Sequence, residues 1–527
     1  MWKKIALTAI SAALLCGTLA GCSSDSDSIQ YTADGKPIIS IMTAAYQAES
    51  ASDDAAENPV MAYVEDKMGV DLRISWIPSS NYNEKVTATM GAGTYPLIMK
   101  VGDRSAAIIA NCRGGTFWEV GDRMLDAEKF PNLAKANQQV MHNMSVDGKV
   151  YGVYLSRDLG RNGVSIREDW LEAVGLDYPE TLADLREVCK RFTENDPDGN
   201  GQDDTYGMII TSYTGPIDNI TVWAGAPNGY GLNEETGQLE PDFMFPEYLD
   251  GVNFIKDLYD NGYMNTNFAT MDAEKWNEPF LNGQAGVIID VADRARRLQT
   301  NITALNPDAK VGVFGSVARV EGEERRVLPT TGYNGFFVFP KESVKTEEEL
   351  DMCLKVLDQF EDPDIGMALQ YGLEGINYTI EDGVYKHVKQ ADNPEEDDTT
   401  NNIYYADLNQ LMTFISGNEM PVEIPYASEV AERVDEVLEE NIQYSVADPS
   451  APYVSNTYSL KGTMLDAIMS EATTKYITGD ITEDQWKAEI QRWRDSGGDD
   501  VIAELTEQWL ADESAQADRS AAKTDTD

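Results

Sequence analysis

The stretch that most limits what this chain can fold into is TLADLREVCKRFTENDPDGNGQDDTYGMIITSY, residues 181–213. Leu182, Leu185, Val188, Cys189 and Phe192 recur at helical spacing and form one apolar stripe. Thr181 precedes the stripe and Asp184 follows three residues later, the pattern of a capping box. The run YGMIITSY, residues 206–213, reads as a strand. Between helix and strand, Asp196, Asp198, Asn200, Gly201 and Asp204 take the first, third, fifth, sixth and ninth places of an EF-hand calcium loop. The twelfth place should hold a bidentate Glu and is Gly207. A loop that joins a helix to a strand is not half of a paired sensor. It is an acidic surface turn or a calcium site with another job.

The same helix–strand alternation recurs along the chain. KPIISIMTAAY (36–46) reads as a buried strand, NPVMAYVEDKMG as a helix and VDLRISWIP (70–78) as an alternating strand. DGKVYGVYLSRDLGRNGVSIRE reads as a hairpin or a crossover. FLNGQAGVIIDVAD runs from a helix end to a strand, GYNGFFVFPKES is a strand, and Thr346 caps a helix. From residue 427 to residue 510 the chain reads as nearly all helical. This order predicts α/β lobes with a largely parallel sheet, and 527 residues exceed what one simple core organises.

The formal net charge is −50, which excludes binding to nucleic acid through a general field. His142 and His387 are the only histidines, and neither stands in a metal or triad pattern. There is no Gly-x-Ser-x-Gly elbow and no phosphate-binding Gly-Lys-Ser/Thr loop. Nothing singles out two of the 91 acids as a catalytic pair. The residues therefore read as a non-enzyme.

The N-terminus, MWKKIALTAISAALLCGTLAGCSSDSDS, has two lysines, a short apolar run and LAGC. The run is short for a spanning helix and suits a secretory signal. LAGC resembles the bacterial lipobox, which implies cleavage before Cys22 and lipidation of its thiol. SSDSDS suits a flexible tether, and ADESAQADRSAAKTDTD at the other end suits a disordered tail. Of the remaining cysteines, Cys112, Cys189 and Cys353, Cys189 falls on an apolar helix face and reads as a buried thiol.

GAGTYPLI, DGKVYGV, IREDWLEAVGL, PETLADLREVCKRFTENDPDGNGQDDTYG, FLNGQAGV, YGLEGINYTIEDG and ITEDQWKAEIQRWRDSGGDDVIAELTEQW follow one another in an order that resembles the extracellular solute-binding lipoproteins of ABC importers. The similarity is to the carbohydrate type, within a long subfamily that carries a calcium loop and includes alginate oligosaccharide-binding proteins. It covers residues from about 37 to about 510.

The resemblance implies an α/β, type II periplasmic-binding-protein fold of two hinged lobes, with ligand in the cleft and a largely helical C-terminal part. The implied division is signal 1–21, tether 22–35, lobe 1 over 36–155, lobe 2 over 156–285, a return to lobe 1 with the hinge over 286–345, a mainly helical completion of lobe 2 over 346–510, and tail 511–527. It implies a monomer, lipid-anchored on the extracellular face of the bacterial cytoplasmic membrane, that captures an oligosaccharide and delivers it to the permease subunits of an ABC transporter. A peptide-binding or other small-solute protein of the same fold is the alternative, and a glycan-active enzyme is a third. The resemblance also implies structural Ca2+ held by Asp196, Asp198, Asn200, the Gln202 carbonyl and Asp204.

Sugar rings are met by aromatic platforms and polar rims. Tyr46 at a strand end, Trp76 in an alternating strand, Trp223 in a Gly-, Pro- and Asn-rich stretch, Trp276 before FLNGQAGV and Tyr333 near the lobe crossing are the ligand candidates. Trp170, Trp486, Trp493 and Trp509 fall in helical patterns and read as packing residues. Arg157 and Arg161 are placed to pair a uronate carboxylate or, as such arginines more often do, to make structural ion pairs, and a charge of −50 disfavours a polyanionic ligand unless they, or the arginines from Arg294 to Arg297, make the cleft locally positive.

Overall fold

The structure is a computed structural model that describes residues 29–47, 50–388, 403–417 and 419–512. Cys22, the signal segment 1–21 and residues 513–527 of the tail lie outside the described residues. Residues 29–35, expected in the tether, are docked: Ile29 is buried, and its N–H donates to Glu349 Oε1 at 3.3 Å.

The strands are β1 (Ile38–Ala45), β2 (Asp71–Pro78), β3 (Ile98–Val101), β4 (Gly152–Ser156), β5 (Asn162–Arg167), β6 (Tyr206–Met208), β7 (Tyr230–Asn233), β8 (Gln238–Pro241), β9 (Ala285–Val291), β10 (Val311–Phe314) and β11 (Tyr333–Val338). One sheet has the order β2-β1-β3-β11-β4 and a second has β10-β5-β9-β6, while β7 and β8 form a separate hairpin. β1 runs parallel to β2 and β3, and β6 parallel to β9. β11 is antiparallel to β3 and β4, and β5 to β9 and β10. The sheets are mixed, not largely parallel. β11, between β3 and the edge strand β4, arrives from the other lobe instead of through a βαβ crossover, so its direction is free of the parallel rule.

Local chemistry sets the elements. Asn58 caps helix Pro59–Met68 by accepting the Val60 and Met61 N–H groups, and Gly69 ends it in the left-handed region that suits glycine. The Thr181 hydroxyl accepts the Asp184 N–H at 3.2 Å while Asp184 Oδ2 accepts the Thr181 N–H at 3.0 Å, so the capping box opens helix Leu182–Glu194 as expected. Of the strand expected over 206–213, only Tyr206–Met208 pairs.

Each sheet organises a lobe. Ile41, Met99, Val153 and Phe337 belong to the first core, together with Leu354 and Ile365 from helices Glu347–Gln359 and Pro363–Tyr371. In the second lobe, Val287 and Ile289 of β9 face a core with Phe192 and Trp486, and Ile288 faces another with Phe280 and Val437. β9 and β10 stay in this second sheet. The chain rejoins the first sheet at β11, not from residue 286, and the two helices after Thr346 pack on the first lobe instead of completing the second. Strand partnering is a long-range choice, which periodicity does not encode.

The lobes are joined by 157–161, by 315–332 and by the stretch from Ile415 to helix Glu429–Ile442. The first two run together: Arg157 N–H donates to Gly332 O at 3.1 Å and Thr330 N–H to Leu159 O at 3.0 Å. Asn441, fully buried, donates from Nδ2 to Gly160 O at 2.8 Å and Asn162 O at 2.7 Å. Gly160 is required here, because a Cβ would meet Leu438 O at 2.2 Å.

Candidate functional site

Two cavities of about 720 Å³ and about 610 Å³ share Gly229, Asp242, Phe243, Tyr458, Asp466 and Trp493 and form one continuous space. The first lobe contributes the turn after β3, with Asp103, Arg104 and Ser105, and the second contributes the β7–β8 region, the Asp448 turn and helix Asn456–Thr478. Thr214 and Asp218, beyond β6, extend the lining. The Arg104 guanidinium reaches across, donating to Ser145 O at 2.8 Å, Pro452 O at 3.3 Å and Ala451 O.

The lining is acidic and aromatic. Burial, together with Asp218 and Asp448, pushes the Asp242 carboxyl up to about 8. Burial pushes Asp218 and Asp448 each up to about 6. Burial also raises Asp466, whose Oδ2 accepts the Tyr458 hydroxyl at 2.8 Å. Tyr230 and Tyr458 are likewise raised by burial. Carboxyl groups poised near neutrality donate as well as accept hydrogen bonds, and the aromatic rings offer apolar faces. The set is suited to a ligand with both hydroxyls and apolar C–H faces.

A second group is cationic. Burial raises the Tyr213 hydroxyl, Asp290 and Asp218 add to the rise, and Arg157 and Arg294 oppose it. Arg157 is half-buried, and its guanidinium is lowered by burial and by Arg161. Lys100 on β3 is 3% exposed, with Nζ 5.7 Å from the Tyr46 ring centroid. Burial and Arg157 push Lys100 down to about 8.

The sequence candidates scatter. Tyr46 stands at the end of β1, 54% exposed, its N–H donating to Asp407 Oδ1 at 3.0 Å. Trp76 is half-buried in the edge strand β2 and packs on the first core. Tyr333 opens β11 opposite Ser156, next to Arg157 in the chain. Trp223 is not in a loop: it is the last residue of helix Gly215–Trp223 and is buried in the second core. Gly215-Pro216 starts a helix there, and its apolar residues recruit the tryptophan.

Trp276 is also buried. Its Nε1–H donates to Ile209 O at 3.2 Å, and the Arg294 guanidinium lies 4.5 Å from its ring centroid, so it supports Arg294 and Tyr213 from behind. Arg161 pairs with Asp293 at 3.1 Å, Arg294 with Asp290, Arg296 with Asp435 and Arg297 with Asp293, so these arginines are engaged. Asp218, Asp242, Asp448, Tyr230, Tyr458 and Lys100 escaped sequence reasoning. Lys100 alone carried a signal, as the one charge in the strand IMKV.

The acidic loop is closed on itself. Asn200 Nδ2 donates to Asp198 Oδ2 at 2.8 Å and to Asp204 Oδ1 at 3.2 Å, and the Asn200 and Gly201 N–H groups donate to Asp196 at 3.0 Å. Among the described residues no group of three or more His, Cys, Asp or Glu side chains is arranged to hold a metal. The Asn200 amide nitrogen stands between Asp198 and Asp204. Burial and the proximity of Asp196 and Asp204 push the Asp198 carboxyl up.

Comparison with known proteins matches residues 47–348 to the model of the bacterial extracellular solute-binding protein family. The chain is 37% identical over 494 residues to lipoprotein LipO of Bacillus subtilis (strain 168), covering 92% of this chain and 95% of that one. It is 33% identical over 516 residues to the polygalacturonan/rhamnogalacturonan-binding protein YtcQ of the same organism, covering 96% and 98%. Its fold superposes on the S. pneumoniae ABC-transporter substrate-binding protein FusA, an EF-hand mutant in complex with fructo-nystose, with a TM-score of 0.64, 18% identity and coverage of 91% and 100%. Two lobes on separate sheets, joined by paired crossing segments around a lined cavity, are the periplasmic-binding-protein architecture, and with these matches the chain belongs to the bacterial extracellular solute-binding protein family.

Proposed function

We propose that the chain is the lipid-anchored, extracellular binding component of an ABC importer. It captures an oligosaccharide between its lobes and presents it to membrane permease subunits. The observation that carries this is the interlobe cavity of about 720 Å³, in which Tyr230 and Tyr458 face Asp242, Asp448 and Asp466. Relatives named for polygalacturonan/rhamnogalacturonan and for fructooligosaccharide support the carbohydrate class. The relatives YtcQ and FusA are named as binding proteins, which supports a role without a catalytic step. The LAGC motif and the likeness to a lipoprotein support attachment through Cys22 as lipid carrier, and no helix among the described residues is long and apolar enough to cross a membrane. Closure of the lobes about 157–161 and 315–332 would signal occupancy to the permease.

The test is thermal unfolding of the full-length chain in detergent against panels of oligosaccharides and short peptides, with product analysis of each incubation. A ligand selective for the folded state raises the midpoint by mass action. A shift with one glycan class and no cleavage products is the expected result. Shifts with peptides alone, or sugar cleavage, would overturn the reading.

We further propose that the loop after helix Leu182–Glu194 holds Ca2+, through Asp196, Asp198, Asn200, the Gln202 carbonyl and Asp204. The donor set is all oxygen, as calcium prefers. Three carboxylates also crowd beyond a helix C-terminus, where the macrodipole is negative and a cation is favoured. Bound there, the ion would clip helix to strand. A chelator is expected to lower the unfolding midpoint of the full-length chain, and Asp198→Asn to shrink that drop. An unchanged midpoint would reduce the loop to an acidic turn.

A further inference from the structure

The continuous interlobe cavity is lined by Asp103, Asp218, Asp242, Asp448 and Asp466, and among the described lining residues the one cation is Arg104. The Arg104 guanidinium is committed to the main-chain carbonyls of Ser145, Ala451 and Pro452. Its charge acts on Asp448 less than burial and the Ser450 bonds do. Arg157 lines a separate cavity of about 550 Å³, with Asp158, Asp435 and Glu439. The lining carboxylates are instead held by neutral donors. Asp103 accepts the Ser105 N–H at 2.9 Å, Asp242 the Phe243 N–H at 2.7 Å, and Asp448 the Ser450 N–H at 2.8 Å and hydroxyl at 2.7 Å. Asp218 is bonded by Thr214, and Asp466 accepts the Tyr458 hydroxyl at 2.8 Å.

One glycine brings two of these residues to the same wall. The Asp242 N–H donates to Gly229 O at 2.8 Å, and a Cβ on Gly229 would stand 3.1 Å from Asp448 Oδ2. Asp218 joins Asp242 further along the space. Carboxylates drawn partly out of water without a cation are costly, and burial accordingly holds Asp218, Asp242 and Asp448 toward their protonated forms. Among the described residues no three of these side chains converge closely enough to hold a metal ion. They surround a ligand-sized space of about 720 Å³ in which Tyr230, Phe243, Tyr458 and Trp493 add ring faces. Such faces accept both the C–H face of a sugar and an organic cation. A hydroxyl would meet the hydrogen-bonding capacity of the carboxylates and leave their charge. An ammonium meets both, through charge-assisted bonds.

We propose that the cavity selects a glycan bearing a free amine, the ammonium of a non-acetylated amino-sugar unit being held between Asp242 and Asp448; this rests on the oligosaccharide reading above. The ligand itself then supplies the counter-charge that the lining lacks, and a uronate in the same place is repelled.

The test is isothermal titration of the full-length chain with the glucosamine trimer beside the N-acetylglucosamine trimer, at about pH 6, where an amine is charged. Acetylation keeps the sugar and removes the charge. Maltotriose, trigalacturonate, spermidine and trilysine form the remaining arms. The amine form is expected to bind about 10-fold or more tighter than the acetylated form. Asp448→Asn and Asp242→Asn should each shrink that ratio. Glu128→Gln removes an exposed acid outside the cavity lining and should leave it unchanged. An equal loss in Glu128→Gln would trace the preference to the overall charge and overturn the cavity's part in it. Tighter binding of the acetylated trimer, maltotriose or trigalacturonate overturns the amine inference and leaves the oligosaccharide reading standing. No binding of the glucosamine trimer also overturns the inference, while the wider glycan panel still decides the oligosaccharide reading. Binding of spermidine or trilysine with no glycan bound overturns both.

Discussion

At the scale of single residues, several buried groups are held away from their ordinary ionisation. Lys100 falls from 10.5 to about 8, so the folded state disfavours its charged form by about 3 kcal/mol, at about 1.4 kcal/mol per unit. That penalty is fully present below about pH 8 and fades as pH rises toward 10.5, where the unfolded lysine also loses its proton. Lys100→Met should therefore raise the unfolding midpoint at pH 7, with the gain shrinking near pH 10.5. Equal midpoints at pH 7 would show the ammonium to be solvated. Asp242 has the opposite charge and the same logic. Its carboxyl rises from 3.8 to about 8 through burial and its neighbours Asp218 and Asp448, so its penalty grows as pH climbs through that window. Asp242→Asn should stabilise the chain at pH 8 and lose that gain as pH falls below 3.8, where the carboxyl is protonated in folded and unfolded chain alike. A gain independent of pH would sink the assignment. Residues that destabilise a fold when charged are what a site built for ligand retains.

At the scale of elements, the crossing segments decide how the lobes move. Asn441 fastens the carbonyls of Gly160 and Asn162, and Gly315 leaves it room, since a Cβ there would lie 1.8 Å from Asn441 Oδ1. Asn441→Ala leaves two buried carbonyls without their donor and should lower stability by about 1–3 kcal/mol in urea unfolding. No loss would mean that water takes over both bonds. Much at this scale was legible in sequence. The Thr181 and Thr346 capping boxes, the stripe Leu182–Phe192 and the turn from Gly283 into β9 depend on neighbours within a few residues, and each is found where local chemistry placed it. Trp223 was not, because a run of Gly, Pro and Asn beyond it hid a helix that ends on the tryptophan.

At the scale of the molecule, a net charge of −50 sets a field of self-repulsion. Raising ionic strength from about 0.01 M to about 0.15 M contracts the screening length from ~30 Å to ~8 Å. The unfolding midpoint should rise over that range at fixed calcium, and a midpoint that falls would show that attractive ion pairs dominate instead. The sequence by itself determined the α/β character, the caps, the acidic loop and the two-lobed family resemblance, since spacing and turn chemistry act over a few residues. Only the tertiary structure decided that β9 and β10 remain in the second sheet while β11 crosses to the first. It also decided that Trp276 backs Arg294 rather than facing the cleft, and that Lys100 is buried with no hydrogen bond to its ammonium among the described residues. Those outcomes depend on which distant strands meet. Strand partnering is chosen by closure of the whole core, not by the local period of the chain.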